Sequence, residues 1–133
     1  MAIERYGMMP DGPGGRALPF ASAVRAGDFL FVSGQVPIGP DGEVVEGGIA
    51  TQARQTIENV RRILAGQGLG LAEVVKATVW LADSRDFWPF NKVWIEFFGA
   101  APPARSCVRA NMMVDCKVEI EVVAYAPSGR SAG

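Results

Sequence analysis

Hydrophobic positions along this chain keep two different periods, and the points where the period changes mark its elements. From 49 to 67 the apolar residues Ile49, Ala53, Ile57, Val60, Ile63 and Leu64 recur at helical spacing, with Arg54, Glu58, Arg61 and Arg62 on the other side. Gly66 and Gly68 then stop the helix. Residues 74–81 are β-branched and apolar, which predicts an inner strand. Ala82-Asp83-Ser84 supplies helix-start chemistry, so a second helix is predicted over 85–98, with Pro89 near its first turn, where proline is tolerated. Two further strands, 104–110 and 117–126, complete the regular part of the chain.

On the N-terminal side, 17–24 and 28–33 are predicted strands joined by the turn Arg25-Ala26-Gly27. Pro40-Asp41-Gly42 is a second turn signal leading into a short strand at 43–45. Residues 1–16 are predicted to form an irregular arm, because Met9-Pro10-Asp11-Gly12-Pro13-Gly14-Gly15 has no periodicity, and 127–133 a flexible tail. The predicted order, β-β-β-α-β-α-β-β, describes an α+β domain with a mixed six-stranded sheet and two crossover helices on one face. The other sheet face then has no cover within one chain, and association is the simplest way to bury it.

Composition narrows the field further. The 133 residues fit one domain, 1–133, and a hydrophobic share of 49% suffices for a core. With 13 basic and 14 acidic residues the net charge is −1, which argues against nucleic acid and anionic membranes as main partners. The first residues, Met1-Ala2-Ile3-Glu4-Arg5, have no apolar signal core, and no apolar run approaches the roughly 20 residues of a membrane span, so a cytoplasmic location is expected. Cys107 and Cys116 read as reduced thiols. The chain has no histidine, which removes Ser/His/Asp and Cys/His nucleophilic machinery and the commonest metal ligand, so acid/base chemistry falls to carboxylates, a thiol or water.

The candidate chemistry sits in the last two strands. Alternation places Arg105, Cys107 and Arg109 on one face of the first, and Lys117, Glu119 and Glu121 on one face of the second. Val108, Val118, Ile120 and Val122 suit a core on the opposite side. So many ionisable groups form either a water-exposed face with surface ion pairs, such as Arg105 with Glu121, or a polar site. The aromatic residues Phe87, Phe90, Trp94, Phe97 and Phe98 follow helical spacing and read as core packing, with Trp88 outside the stripe.

Several motifs in order resemble the Rid family, also called YjgF, of enamine/imine deaminases. They are Val32-Ser33-Gly34-Gln35-Val36-Pro37, Gln52-Ala53-Arg54-Gln55-Thr56 with Asn59-Val60, Asp86-Phe87 with Asn91, Arg105-Ser106-Cys107-Val108, and Val118-Glu119-Ile120-Glu121. The resemblance runs from about Phe20 to Ala124. It implies a chorismate mutase-like, YjgF-like fold, assembled as a homotrimer with sites in the clefts between subunits, and no metal or organic cofactor. It implies hydrolysis of reactive 2-enamine or 2-imino acids to 2-keto acids and ammonia. Arg105 would anchor the substrate carboxylate, Cys107 would line the pocket, and Glu119 would orient or activate water. Glu121 shares a face with Glu119 and is the alternative carboxylate, because the loop 110–116 is one residue shorter than in better-known members. Ser33 and Gly34 would reach the substrate from the neighbouring subunit. Phe20 stands where many members carry tyrosine, and the lost hydroxyl points to a substrate more apolar, or differently held, than 2-aminoacrylate. Asn91 reads as mainly structural. A ligand-binding or regulatory trimer without turnover is the alternative. A ribonuclease, also described in this family, fits poorly with the low charge and missing histidine.

Overall fold

The computed structural model describes residues 3–8 and 17–127. Six strands, β1 (Ile3–Tyr6), β2 (Ala23–Ala26), β3 (Phe29–Gln35), β4 (Val74–Leu81), β5 (Ala104–Arg109) and β6 (Val118–Tyr125), form one sheet in the order β1-β2-β3-β6-β4-β5. All neighbours are antiparallel except β4 and β5. That parallel pair needs a crossover, and α2 (Phe87–Phe98) supplies it. The longer α1 (Ile49–Ala65) connects β3 to β4 on the same face of the sheet. No helix among the described residues is long and apolar enough to cross a membrane.

The strand count matches the expectation, but one of the six comes from another part of the chain. The predicted strand at 43–45 reduces to a single bridge between Ile38 and Val44, and the sixth strand is β1, inside the segment expected to be an irregular arm. Ile3–Tyr6 is an edge strand held by pairing with β2 and mostly exposed, so no burial pattern marks it. Residues 1–2, 9–16 and 128–133, which carry much of the expected arm and most of the tail, lie outside the described residues. β2 starts at Ala23 rather than residue 17, because Pro19 has no N–H to give a ladder. The turn between β2 and β3 falls at Gly27-Asp28, where Gly27 takes φ +60. α1 ends at Ala65, and Gly68 at φ +72 turns the chain away.

The core forms where the helical stripe meets the sheet. Ala53, Ile57 and Leu64 of α1 and Phe90 and Phe98 of α2 are buried against Leu30, Val79 and Ile120. Each such large side chain contributes about 1.5–3 kcal/mol through burial. Trp94 stacks on Phe98 with ring centroids 4.2 Å apart, while Trp88 is 73% exposed, so the aromatic stripe is core with Trp88 outside it.

Two buried polar residues of α1 hold the loops around the sheet. Gln52 donates to the Val45 carbonyl at 3.0 Å and accepts from the Lys117 N–H at 2.8 Å. Asn59 donates to the carbonyls of Val36 and Ile38, each at 3.0 Å. A buried amide must be paired, so these contacts fix the segment leaving β3 and the start of β6, the two places where Gly34 and Glu119 stand.

Candidate functional site

Arg105 and Cys107 sit on β5, the edge strand. The parallel register pairs Ala77 with Arg105, Val79 with Cys107 and Leu81 with Arg109, so these residues share the helix-covered face. Arg105 Nη2 donates to Asn91 Oδ1 of α2 at 2.9 Å. Its guanidinium lies 5.0, 5.6 and 5.7 Å from the ring centroids of Trp94, Phe90 and Phe87. Each cation–π contact contributes about 0.5–1 kcal/mol at a partly exposed site. Arg105 is thus half-buried and oriented, and no carboxylate among the described residues forms a salt bridge with it. The ion pair with Glu121 that the strand pattern allowed is not formed. A preset fork with donors to spare is suited to bind a ligand carboxylate.

Burial pushes the Cys107 thiol up, and the Arg105 charge offsets this only in part. A protonated thiol is a weak nucleophile, so Cys107 suits a lining role better than covalent chemistry. Beside it lies a pocket of about 270 Å³, with apolar walls from Leu81, Phe87, Trp88 and Val108 and with Ser84 and Arg109 as its other polar groups. Asp83 fixes the start of this region: its side chain accepts from the Arg85 N–H at 2.9 Å, and the Arg85 guanidinium holds its carboxyl down to about 2.

The second group lies on the opposite, open face. Val79 pairs with both Cys107 and Ile120, whereas Thr78 pairs with Ser106 and Glu121, and Trp80 with Val108 and Glu119. Arg105 and Cys107 therefore share a face with Ile120, and the glutamates share theirs with Ser106 and Val108. This corrects the expectation that Val108 lies in the core, since it is half exposed, and it sets Glu119 and Cys107 on opposite faces of the sheet within one chain. The physical reason is that β5 and β6 never pair with each other. Both pair with β4, whose register sets their relative parity.

Glu119 is the half-buried member of the carboxylate pair and Glu121 the exposed one. Burial raises the Glu119 carboxyl above its ordinary value, and the Glu121 charge raises it further. Across the sheet, the β3–β6 register slips between Val32 and Gln35, where three steps along β3 match two along β6. This bulge contains Ser33 and Gly34, and bulges commonly re-aim the chain beside functional sites. A Cβ on Gly34 would lie 2.1 Å from Glu119 Oε2, so the carboxylate rests directly over the glycine. Ser33 Oγ donates to the Ala21 carbonyl at 2.6 Å, tying the bulge to the segment that carries the exposed Phe20. Glu119, Ser33 and Gly34 are thus brought together, and Arg105 and Cys107 are brought together, on opposite faces. Replacing Gly34 with Ala should displace the Glu119 carboxylate without unfolding the chain. The expected result is an unchanged far-UV spectrum with a shifted Glu119 titration by NMR, and an unshifted titration would refute the contact.

Asn91, the bulge and Trp88 are the features the sequence reading undervalued. The helical spacing of Asn91 hid its role because its partner lies on a strand 14 residues further on. Among the described residues no group of three or more His, Cys, Asp or Glu could hold a metal ion.

A family model described as Endoribonuclease L-PSP, the model of the Rid proteins, matches residues 15–126. The chain belongs to the Rid family. Among Rid relatives, a RutC family protein of Pyrococcus horikoshii is 45% identical over 109 residues, which cover 80% of this chain and 86% of that protein. The 2-iminobutanoate/2-iminopropanoate deaminase of Escherichia coli is 39% identical over 110 residues, covering 80% and 86%. Among solved structures, E. coli TdcF with bound serine matches with a TM-score of 0.78 and 34% identity, covering 92% of this chain and 98% of that one. The Rid family thus contains proteins named as deaminases under a description that names a ribonuclease, and the six-stranded sheet with two helices is the Rid fold.

Proposed function

We propose that this chain is a cofactor-independent deaminase that hydrolyses 2-enamine or 2-imino acids to 2-keto acids and ammonia, working as a homotrimer. The observation that carries the reading is Arg105: a guanidinium braced by Asn91 and three aromatic rings, with no salt bridge to a carboxylate among the described residues. The deaminase name of the E. coli relative supports it.

The trimer explains why the site is split. Phe29, Phe31 and Tyr125 are 41%, 46% and 44% exposed on the open face, which a partner would bury. In this reading the Glu119–Ser33–Gly34 face of one subunit closes over the Arg105–Cys107 edge of the next. Arg105 then holds the carboxylate of the substrate. A proton from solvent on the enamine β-carbon gives the iminium ion, the species a 2-imino acid also gives on protonation at nitrogen, and its C=N carbon is electrophilic. Glu119 takes a proton from water as the water oxygen bonds to that carbon and the C=N electron pair moves to nitrogen. The resulting carbinolamine collapses to the 2-keto acid as Glu119 gives its proton to the nitrogen, the C–N electron pair leaves with the departing ammonia, and the hydroxyl proton passes to solvent as C=O forms. Holding water and imine together contributes through proximity.

The test uses imino acids generated from amino acids by an amino-acid oxidase, with keto-acid release followed with and without the protein. Acceleration that survives chelators is expected, together with elution near three times 14.2 kDa in size exclusion with light scattering. No acceleration across the substrate panel would sink the deaminase reading in favour of ligand binding without turnover, and an active monomer would contradict the split site.

A further inference from the structure

The cleft beside Cys107 is larger and more apolar than the smallest 2-imino acids need. It opens at the carboxyl ends of the parallel pair β4–β5 and the start of α2, the place where open α/β sheets commonly bind ligands. Its volume is about 270 Å³. The methyl group of 2-iminopropanoate is about the size of a water molecule, roughly 30 Å³, and would leave most of that space unfilled.

Trp88 is the second observation. It is 73% exposed, lies outside the core stripe and meets Phe87 edge-on, with ring centroids 5.2 Å apart. A large aromatic side chain left mostly in water on a pocket wall adds little to the fold beyond its contact with Phe87, and it offers a flat apolar surface to a ligand. Phe87 faces two ways, with its ring under the Arg105 guanidinium and its side chain lining the pocket. Cys107 lies in the pocket, two residues along the strand from Arg105, about 6.6 Å. The carboxylate anchor and the apolar pocket are therefore separated by about the length of an amino-acid side chain.

We propose that this pocket receives the substrate side chain, and that the protein takes 2-imino acids with a large aromatic side chain in preference to 2-iminopropanoate. The ligand ring packs against Trp88 and Phe87, Leu81 adds to the apolar wall, and Arg109 lies against the ring as a cation rather than pairing with a second carboxylate. The inference about substrate rests on the deaminase reading, whereas the ligand preference of the pocket does not depend on turnover.

The experiment therefore has a binding arm and a kinetic arm. In the first, 3-phenylpropanoate, propanoate and glutarate are titrated into the protein by calorimetry. The expected Kd for 3-phenylpropanoate is about tenfold or more below that for propanoate, since each methylene-sized contact in an apolar pocket is worth roughly 10-fold or more. Trp88→Ala should remove most of that difference, and Arg105→Ala should weaken both ligands. Equal affinities, a preference for glutarate, or an undiminished preference in Trp88→Ala would each overturn the proposal. In the kinetic arm, imino acids are generated from phenylalanine and alanine, and the ratio of their kcat/KM values should fall about tenfold in Trp88→Ala. Retained binding preference with no turnover of either imino acid would sink the deaminase reading and leave the pocket assignment standing.

Discussion

Arg105→Ala is expected to lower kcat/KM for a 2-imino acid by at least about 100-fold and to leave the fold intact. A hydrogen bond to a charged group contributes about 1.5–3 kcal/mol, and a bidentate carboxylate contact supplies two of them. The substitution removes no core volume, because Arg105 is half-buried at the sheet edge and its partners are the Asn91 amide and the faces of aromatic rings. Arg105→Lys should fail almost as badly, since a point charge cannot reproduce the planar fork or its stacking on Trp94. Steady-state kinetics with far-UV spectra and size exclusion separate the two effects. Near-normal turnover by either variant would remove Arg105 from the anchoring role.

The second large effect is expected at Glu119. Glu119→Gln keeps size and hydrogen bonding but removes the titrating group, and general base catalysis typically contributes 10²- to 10⁴-fold, so kcat should fall by about that range. In the wild type the acid limb of the pH–rate profile should lie above the ordinary carboxylate value of about 4.3, because burial and then Glu121 raise the Glu119 carboxyl. The sign for stability follows from the same shift. A carboxyl raised in the folded state contributes stability below its unfolded pKa and loses it as pH rises through the folded value. Glu119→Gln should therefore melt no lower than the wild type at neutral pH, and any advantage should vanish in acid. Glu121→Gln removes the like charge that faces Glu119, so the acid limb should move down with turnover largely kept. A large loss of kcat in Glu121→Gln, with Glu119→Gln near normal, would make Glu121 the working carboxylate.

Local periodicity was enough to define most of the frame. The apolar stripe Ile49–Leu64, the β-branched run Val74–Leu81 and the alternation along 118–125 each appear as drawn, because each element buries one face and the burial pattern is written every three to four or every two residues. The open sheet face was also legible, since two helices can cover only one side. Where backbone pairing rather than burial makes the element, the sequence misled: Ile3–Tyr6 is an edge strand with exposed side chains inside the expected irregular arm, and 43–45, expected as a short strand after the Pro40-Asp41-Gly42 turn, makes a single bridge and is held by Gln52 instead of a ladder.

For the candidate site, alternation within one strand sets which residues on that strand share a face, and so it grouped Arg105 with Cys107 and Glu119 with Glu121. It carries no information about parity between strands that do not touch. That was decided by β4, which pairs with both β5 and β6 and turns the guanidinium and the carboxylates to opposite sides of the sheet. Tertiary structure alone also brought Asn91 to Arg105 and placed the β3 bulge under Glu119, because these contacts join elements whose registers are set by long-range packing and ladder hydrogen bonds rather than by neighbouring residues.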